Sequence, residues 1–248
     1  IYALDDAYIH MSIADNFSAH GVWGVTRHEF TSSTSSPLWT LLLGGVYAVT
    51  GPVESVPFVL NVIAAGLLLL TAHVVMRRYD TPPYAAALVL LLIVGALPLN
   101  PYIFVGLEHL LHAWLALLFA AMAAHTLQRE AVVNEFGALL LLIVALLLGA
   151  VRYEGLFLVA AFVVLFALRR KIAFAVTLAA AGALGVVVYG LIAVGNGWPF
   201  LPVSITLKSS DARGVLGDID SIGAAFDFVF DVFARLADNP TLAAILVI

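Results

Sequence analysis

The chain has 248 residues, 63% of them hydrophobic and only 11% charged, with a mean hydropathy of +1.07. A soluble domain carries about 25% charged residues, so this sequence cannot coat a water-exposed surface and predicts an all-α, polytopic transmembrane helical bundle. The absence of cysteine excludes disulfides, thiol catalysis and cysteine-bound metals, and the net charge of −5 argues against nucleic acid as a partner.

Residues 1–54 read as an extracytoplasmic loop carrying interfacial helices and an acidic pair. The chain opens without Met and stops in the apolar run TLAAILVI, which predicts a fragment lacking an N-terminal membrane span. In DDAYIHMSIADNFSAHG, the apolar residues Ile9, Ile13 and Phe17 predict a weakly amphipathic helix on the membrane surface. Asp6 and His10 are four apart and share a face. Two readings stay open for Asp5 and Asp6: a functional site at an apolar boundary, or carboxylates stabilising a first helical turn.

Six consecutive hydroxyl residues follow, Thr31 to Ser36. They suit either a strip contacting phosphate or sugar, or a polar loop ending in a cap. SPLWTLLLGGVYAVTG (36–51) has Ser36 as the expected N-cap, Pro37 in the first turn and Gly51 as the stop. It is too short to cross a bilayer comfortably and is expected to be interfacial.

Residues 55–195 predict six spans, at about 55–76, 83–98, 105–127, 136–151, 154–168 and 172–195, since a bilayer needs roughly 17–25 apolar residues. With 1–54 outside, the inner loops hold Arg77, Arg78, Arg129, Arg169, Arg170 and Lys171. The outer segments hold Arg27, Arg152, Lys208, Arg213 and Arg235 over far more residues, in agreement with the positive-inside rule. All acidic residues except Asp80, Glu130 and Glu135 fall outside. Function is expected on that extracytoplasmic face of a multi-pass cell-membrane protein.

Two outer turns carry charge close to lipid. NPYIFVGLEHLLHAW presents Glu108, His109 and His112, a set open to metal binding or to hydrogen bonding at a span mouth. GAVRYEGLFL holds Arg152 and Glu154, where the arginine could receive a phosphate bidentately or tie two helices by a salt bridge. Residues 196–239 form a further outer segment. It contains Trp198, Lys208 and the amphipathic stretch 224–238, with 240–248 starting another span.

No internal repeat, P-loop or G-x-G-x-x-G fingerprint is present, so no nucleotide donor is indicated. The blocks DDAYIHMSIADNFSAHG, TSSTSSPLWTLLL, GLEHLLHAWLAL, RYEGLFL and LPVSITLKS instead resemble, in order, the GT-C superfamily of integral-membrane glycosyltransferases. The likeness is to arabinofuranosyltransferase-like members and covers most of residues 1–210. It departs at Tyr153, where members often have proline, and near Ser204, where they often have asparagine.

The resemblance implies a sugar donor on a polyprenyl phosphate, an aspartate of the Asp5–Asp6 pair as catalytic base, and a glycan, lipid or protein acceptor. Arg152 and Lys208 are the candidates for the donor phosphate. His10, Ser35, Trp39, Glu108, His109, His112 and Glu154 are the candidates for the substrate pocket. No cofactor is certain from these residues, and a divalent cation remains optional. A secondary transporter of a small polar or anionic solute is the alternative.

Overall fold

The computed structural model describes residues 2, 4–95, 99–128 and 135–202. Lys208, the amphipathic stretch 224–238 and the run 240–248 lie outside them. Every regular element among the described residues is helical. Asp5–His20 (α1) and Pro37–Thr50 (α2) precede Val56–Arg78 (α3), Pro83–Gly95 (α4) and the short Leu99–Val105 (α5). His109–Gln128 (α6), Glu135–Val151 (α7), Gly155–Leu168 (α8) and Ile172–Gly195 (α9) complete the set.

Three helices, α3, α6 and α9, are long and apolar enough to cross a membrane, at 23, 20 and 24 residues. No more than 28% of the most apolar stretch of any of them is covered by the rest of the chain. Their outward faces carry Val62, Ile63 and Leu70 on α3, and Leu184, Leu191 and Ile192 on α9. An apolar face of this size has no stable place in water. The other apolar helices are shorter: 14 residues in α2, 13 in α4, 17 in α7 and 14 in α8.

The expected span 105–127 is corrected at its start. Gly106 takes a left-handed φ of 75°, which ends α5 and leaves Gly106 to Glu108 as a turn before α6. A side chain at Gly106 would strike the ring of Tyr2, so one glycine serves both the backbone turn and the close approach.

Small residues set the packing of the bundle. The main core joins α6, α7, α8 and α9 through Phe119, Leu141, Leu148, Val159, Phe166 and Leu178. A Cβ on Gly149 of α7 would strike the Gly182 carbonyl of α9, and one on Gly182 would strike Val159 of α8, so small residues here let the helices pack closely. A second cluster seats Trp39, Leu43 and Tyr47 of α2 against Ala14 of α1 and Val56 of α3.

The bundle has two distinct ends. Helices α3 and α6 run parallel, since Trp114 Nε1 donates to Thr71 Oγ1 at mid-length (3.1 Å) and Arg78 meets His125 near their last turns (2.8 Å). Lys171 Nζ donates to the Thr126 carbonyl at the same end. His109 begins α6 at the opposite end, sixteen residues or about 24 Å from His125. There α1 lies across the bundle. Its start is tied down by Tyr2, whose hydroxyl donates to the Glu54 carbonyl (2.6 Å) and accepts from Phe58 N–H (3.1 Å). Beyond its last turn, Trp23 donates to the Tyr189 hydroxyl of α9 (3.3 Å).

Candidate functional site

The site is assembled from three stretches that are distant in sequence. The α5–α6 turn contributes Glu108, which is 3% exposed. The α7–α8 turn contributes Arg152 and Glu154. Helix α1 contributes Asp5, Asp6 and His10. Arg152 Nη1 donates to Glu108 Oε1 at 2.9 Å, and Nη2 donates to Glu154 Oε1 at 2.6 Å. Nε completes a fork with Glu154 Oε2 at 3.3 Å. His10 Nε2 lies 3.9 Å from Glu108 Oε2. The line Glu154–Arg152–Glu108–His10 therefore runs from the surface inward to α1.

Asp5 and Asp6 occupy the first turn of α1 and are exposed. Leu4 precedes them with no side-chain cap, and their charges suit the positive helix end. Asp6 stands near enough to Glu108 for its charge to act on that group.

The electrostatics of the two glutamates diverge. Burial pushes the Glu108 carboxyl above the ordinary range, with the Arg152 charge opposing and Glu154 and Asp6 assisting. Burial would also raise Glu154, but its hydrogen bonds to Arg152 and that guanidinium's charge outweigh it and hold Glu154 low. One arginine is thus shared unequally between a buried acid that resists ionisation and a surface acid that stays charged.

The buried face of α1 differs from the expected Ile9–Ile13–Phe17 stripe. Ala7, His10, Ile13 and Ala14 are buried, while Phe17 is exposed. Small residues let α1 settle on Gly44 of α2, and the hydroxyls there satisfy a polar ring that hydropathy alone would turn outward. His10 Nδ1 is 2.8 Å from Thr40 Oγ1 and 3.1 Å from Thr34 Oγ1.

The hydroxyl strip alternates. Ser32, Thr34 and Ser36 are buried, and Thr31, Ser33 and Ser35 are partly exposed. Ser36 stands at the N-cap position of α2 but does not cap it. Its hydroxyl donates to the Val151 carbonyl at the end of α7, so it joins two helices instead of closing one. Ser35 makes no hydrogen bond among the described residues. Trp39, expected in a substrate pocket, is 1% exposed in the α1–α2–α3 cluster. It lines neither cavity described below, because α2 turns that face toward α1 and α3.

His109 stacks on Tyr102 (5.2 Å, 20°) and its Nε2 sits 3.4 Å from Arg152 Nη1. Both histidines of this turn, with Tyr102 and Arg152, line a cavity of about 240 Å³. Among the described residues, no three of His, Asp and Glu are grouped to hold a metal ion. Glu108 is committed to Arg152 and His109 to Tyr102, so the set 108–109–112 does not converge on one point.

A larger groove of about 680 Å³ opens between the 21–30 loop, α2 and α9, lined by Trp23, Phe30, Leu38, Leu41, Val188 and Ile192. Its polar residues are His28, Glu29 and Asn196. Sequence reasoning did not foresee this groove or the roles of Thr34 and Thr40. The one available signal was the hydroxyl of Thr40, four residues after Ser36 in the mostly apolar first half of α2. Compared with family models, curated proteins and solved structures, the chain matches none.

Proposed function

We propose that the chain is a membrane glycosyltransferase of GT-C-like architecture that moves a sugar from a polyprenyl phosphate to an acceptor hydroxyl on the extracytoplasmic face. In this reading α3, α4 and α6 to α9 make six spans, with α7 about 25 Å long in a locally thinned bilayer. Arg77, Arg78 and Lys171 mark the cytoplasmic end. The observation that carries the reading is the meeting of the acidic first turn of α1, Glu108 and Arg152 at one end of the bundle.

The chemistry needs a base, a path for the leaving group and a counter-charge. Asp5 or Asp6 takes the proton of the acceptor hydroxyl as its oxygen attacks the anomeric carbon. The bond from that carbon to the phosphate oxygen breaks, and polyprenyl phosphate leaves with the electron pair. Arg152, and Lys208 beyond the described residues, offset its developing charge. The phosphate takes over the fork on Arg152 that Glu154 holds. The apolar groove beside α9 suits the isoprenoid tail, and the cavity at Tyr102 and His109 suits a sugar ring.

The test is sugar transfer from a polyprenyl-phosphate donor by the full chain, with Asp5→Asn and Asp6→Asn measured separately. Loss of at least 100-fold in one of them is expected for removal of a general base. Full activity in both removes the mechanism. The buried Glu108–His10–Arg152 group also suits a secondary transporter. Solute uptake by proteoliposomes without consumption of lipid-linked sugar would replace the transferase reading with that one.

A further inference from the structure

His10 was expected to contact substrate, yet it is 5% exposed and lies between partners on different elements. One edge of its ring faces Thr40 of α2 and Thr34 of the hydroxyl strip. Thr40 can accept from an Nδ1–H and Thr34 can donate to a bare Nδ1, so that edge is served whichever ring nitrogen carries the proton. Thr40 also donates to the Ser36 carbonyl (3.2 Å), and Thr34 accepts from Ser36 N–H (3.0 Å). The hydroxyls are thereby fixed to the start of α2.

The other edge meets a different kind of partner. Glu108 Oε2 is buried and makes no hydrogen bond, while Oε1 of the same carboxyl is held by Arg152. Nε2 stands 3.9 Å away. A movement of about 1 Å closes that gap to a hydrogen bond. Asp6 lies one helical turn before His10 on α1, so a shift of the ring against Glu108 carries the acidic turn with it.

We infer that His10 is a positioning residue that acts through Glu108 to hold the first turn of α1 against the Arg152 turn. It thereby sets where Asp5 and Asp6 stand relative to the guanidinium. The consequence for catalysis rests on the glycosyl-transfer reading above; the consequence for geometry does not. Misplacing a reacting group by about 1 Å can cost about 100-fold in rate, so the contact has leverage without touching substrate. The competing role is a plain structural tie from α1 to α2 through Thr40.

Asparagine and glutamine separate the two roles. His10→Asn places an amide near Nδ1 and keeps the Thr40 side while losing the Glu108 side. His10→Gln reaches toward Nε2 and keeps the Glu108 side. Two readouts are taken on the full chain in lipid nanodiscs: kcat and donor KM for sugar transfer, and the spacing between nitroxides at Leu4→Cys and Phe157→Cys. Both labelled positions are exposed and lie outside the site, and the chain has no native cysteine to interfere.

His10→Asn is expected to lower kcat by about 30- to 100-fold with donor KM nearly unchanged, and to broaden the nitroxide distance distribution. His10→Gln is expected to keep the narrow distribution and most of kcat. Should His10→Asn fail to fold, Glu108→Gln weakens the same contact from the far side and is expected to broaden the distribution likewise. Wild-type kcat and a wild-type distribution in His10→Asn would overturn the inference in favour of the tie to α2. If the unmodified chain transfers no sugar, the transferase reading falls by itself. The distance measurement then decides alone, and a narrow distribution in His10→Asn overturns the positioning role.

Discussion

Glu108 and Arg152 meet through one contact of 2.9 Å, although the acid's side chain is 3% exposed and the arginine's 25%. The desolvation cost is therefore uneven. Glu108 gives up nearly all its water, while Arg152 keeps part of its own and spends two further donors on Glu154. Removing the arginine strands a buried carboxyl, whereas removing the carboxyl strands a cation that still has a partner.

The first prediction follows from that asymmetry. Breaking a fully buried ion pair costs about 3–5 kcal/mol. Partial hydration of Arg152 and proton uptake by Glu108 reduce this to about 2 kcal/mol for Arg152→Gln. The same substitution made on a Glu108→Gln background should cost far less. Thermal unfolding followed by tryptophan fluorescence in nanodiscs measures both. Equal costs in the two backgrounds would show that Arg152 stabilises the fold by some contact other than Glu108.

The two carboxyls should also leave opposite marks on stability against pH. Glu108 has a folded pKa above its unfolded value. Its contribution is present below pH 4.5 and lost as pH rises through the raised folded value. Glu154 has a folded pKa below its unfolded value, so its contribution is present above pH 4.5 and lost as pH falls through the lowered one. Relative to wild type, Glu108→Gln should gain stability as pH climbs above 4.5. Glu154→Gln should lose acid sensitivity below 4.5. Melting curves between pH 3.5 and about 8 test both signs, and parallel curves for all three proteins would contradict them.

Much of this arrangement was legible in the letters, because lipid solvent imposes strong rules. Helix α9 matches the expected 172–195 span, and α3 and α7 fall within two residues of their expected bounds. Apolar length and an absence of charge decide such segments locally. The site was legible as a set of residue types, with Glu108, Arg152 and Glu154 all in turns where charge is costly. Their pairing was not, since Glu108 and Arg152 are 44 residues apart and nothing local fixes which helices adjoin. The face of α1 was misread for the same reason. Hydropathy favours Phe17 over His10, and only the Thr40 hydroxyl on another helix reverses that order. Gly106 shows a local signal overlooked: a glycine before Leu107 and Glu108 that ends one helix before the next begins.

Ser36 supplies a prediction from the hydroxyl strip. Its hydroxyl, fully buried, donates to the Val151 carbonyl, one of the carbonyls that the end of α7 leaves without a helical partner. Ser36→Ala leaves that acceptor unsatisfied at a cost of about 1–2 kcal/mol. Ser35→Ala next to it, partly exposed and without such a bond, should change stability by less than about 0.5 kcal/mol. The pair is a matched control for composition and position. Similar melting shifts in the two variants would mean that the Ser36–Val151 bond does not join α2 to α7 energetically.

Glu154 offers the sharpest separation of stability from function. Its side chain is 57% exposed, and an exposed pair contributes about 0–1 kcal/mol, so Glu154→Gln should lower the melting temperature only slightly at neutral pH. The fork it occupies on Arg152, through Nε and Nη2, is the geometry that a phosphate takes bidentately. In the proposed reaction the donor phosphate and Glu154 compete for one guanidinium. Removing the competitor's charge should therefore lower the KM for a polyprenyl-phosphate sugar by about three- to tenfold, equivalent to roughly 0.6–1.4 kcal/mol. Steady-state kinetics across donor concentrations, with unfolding checked in parallel, read the effect directly. An unchanged KM would take Arg152 out of phosphate binding, and a raised one would place Glu154 itself against the donor.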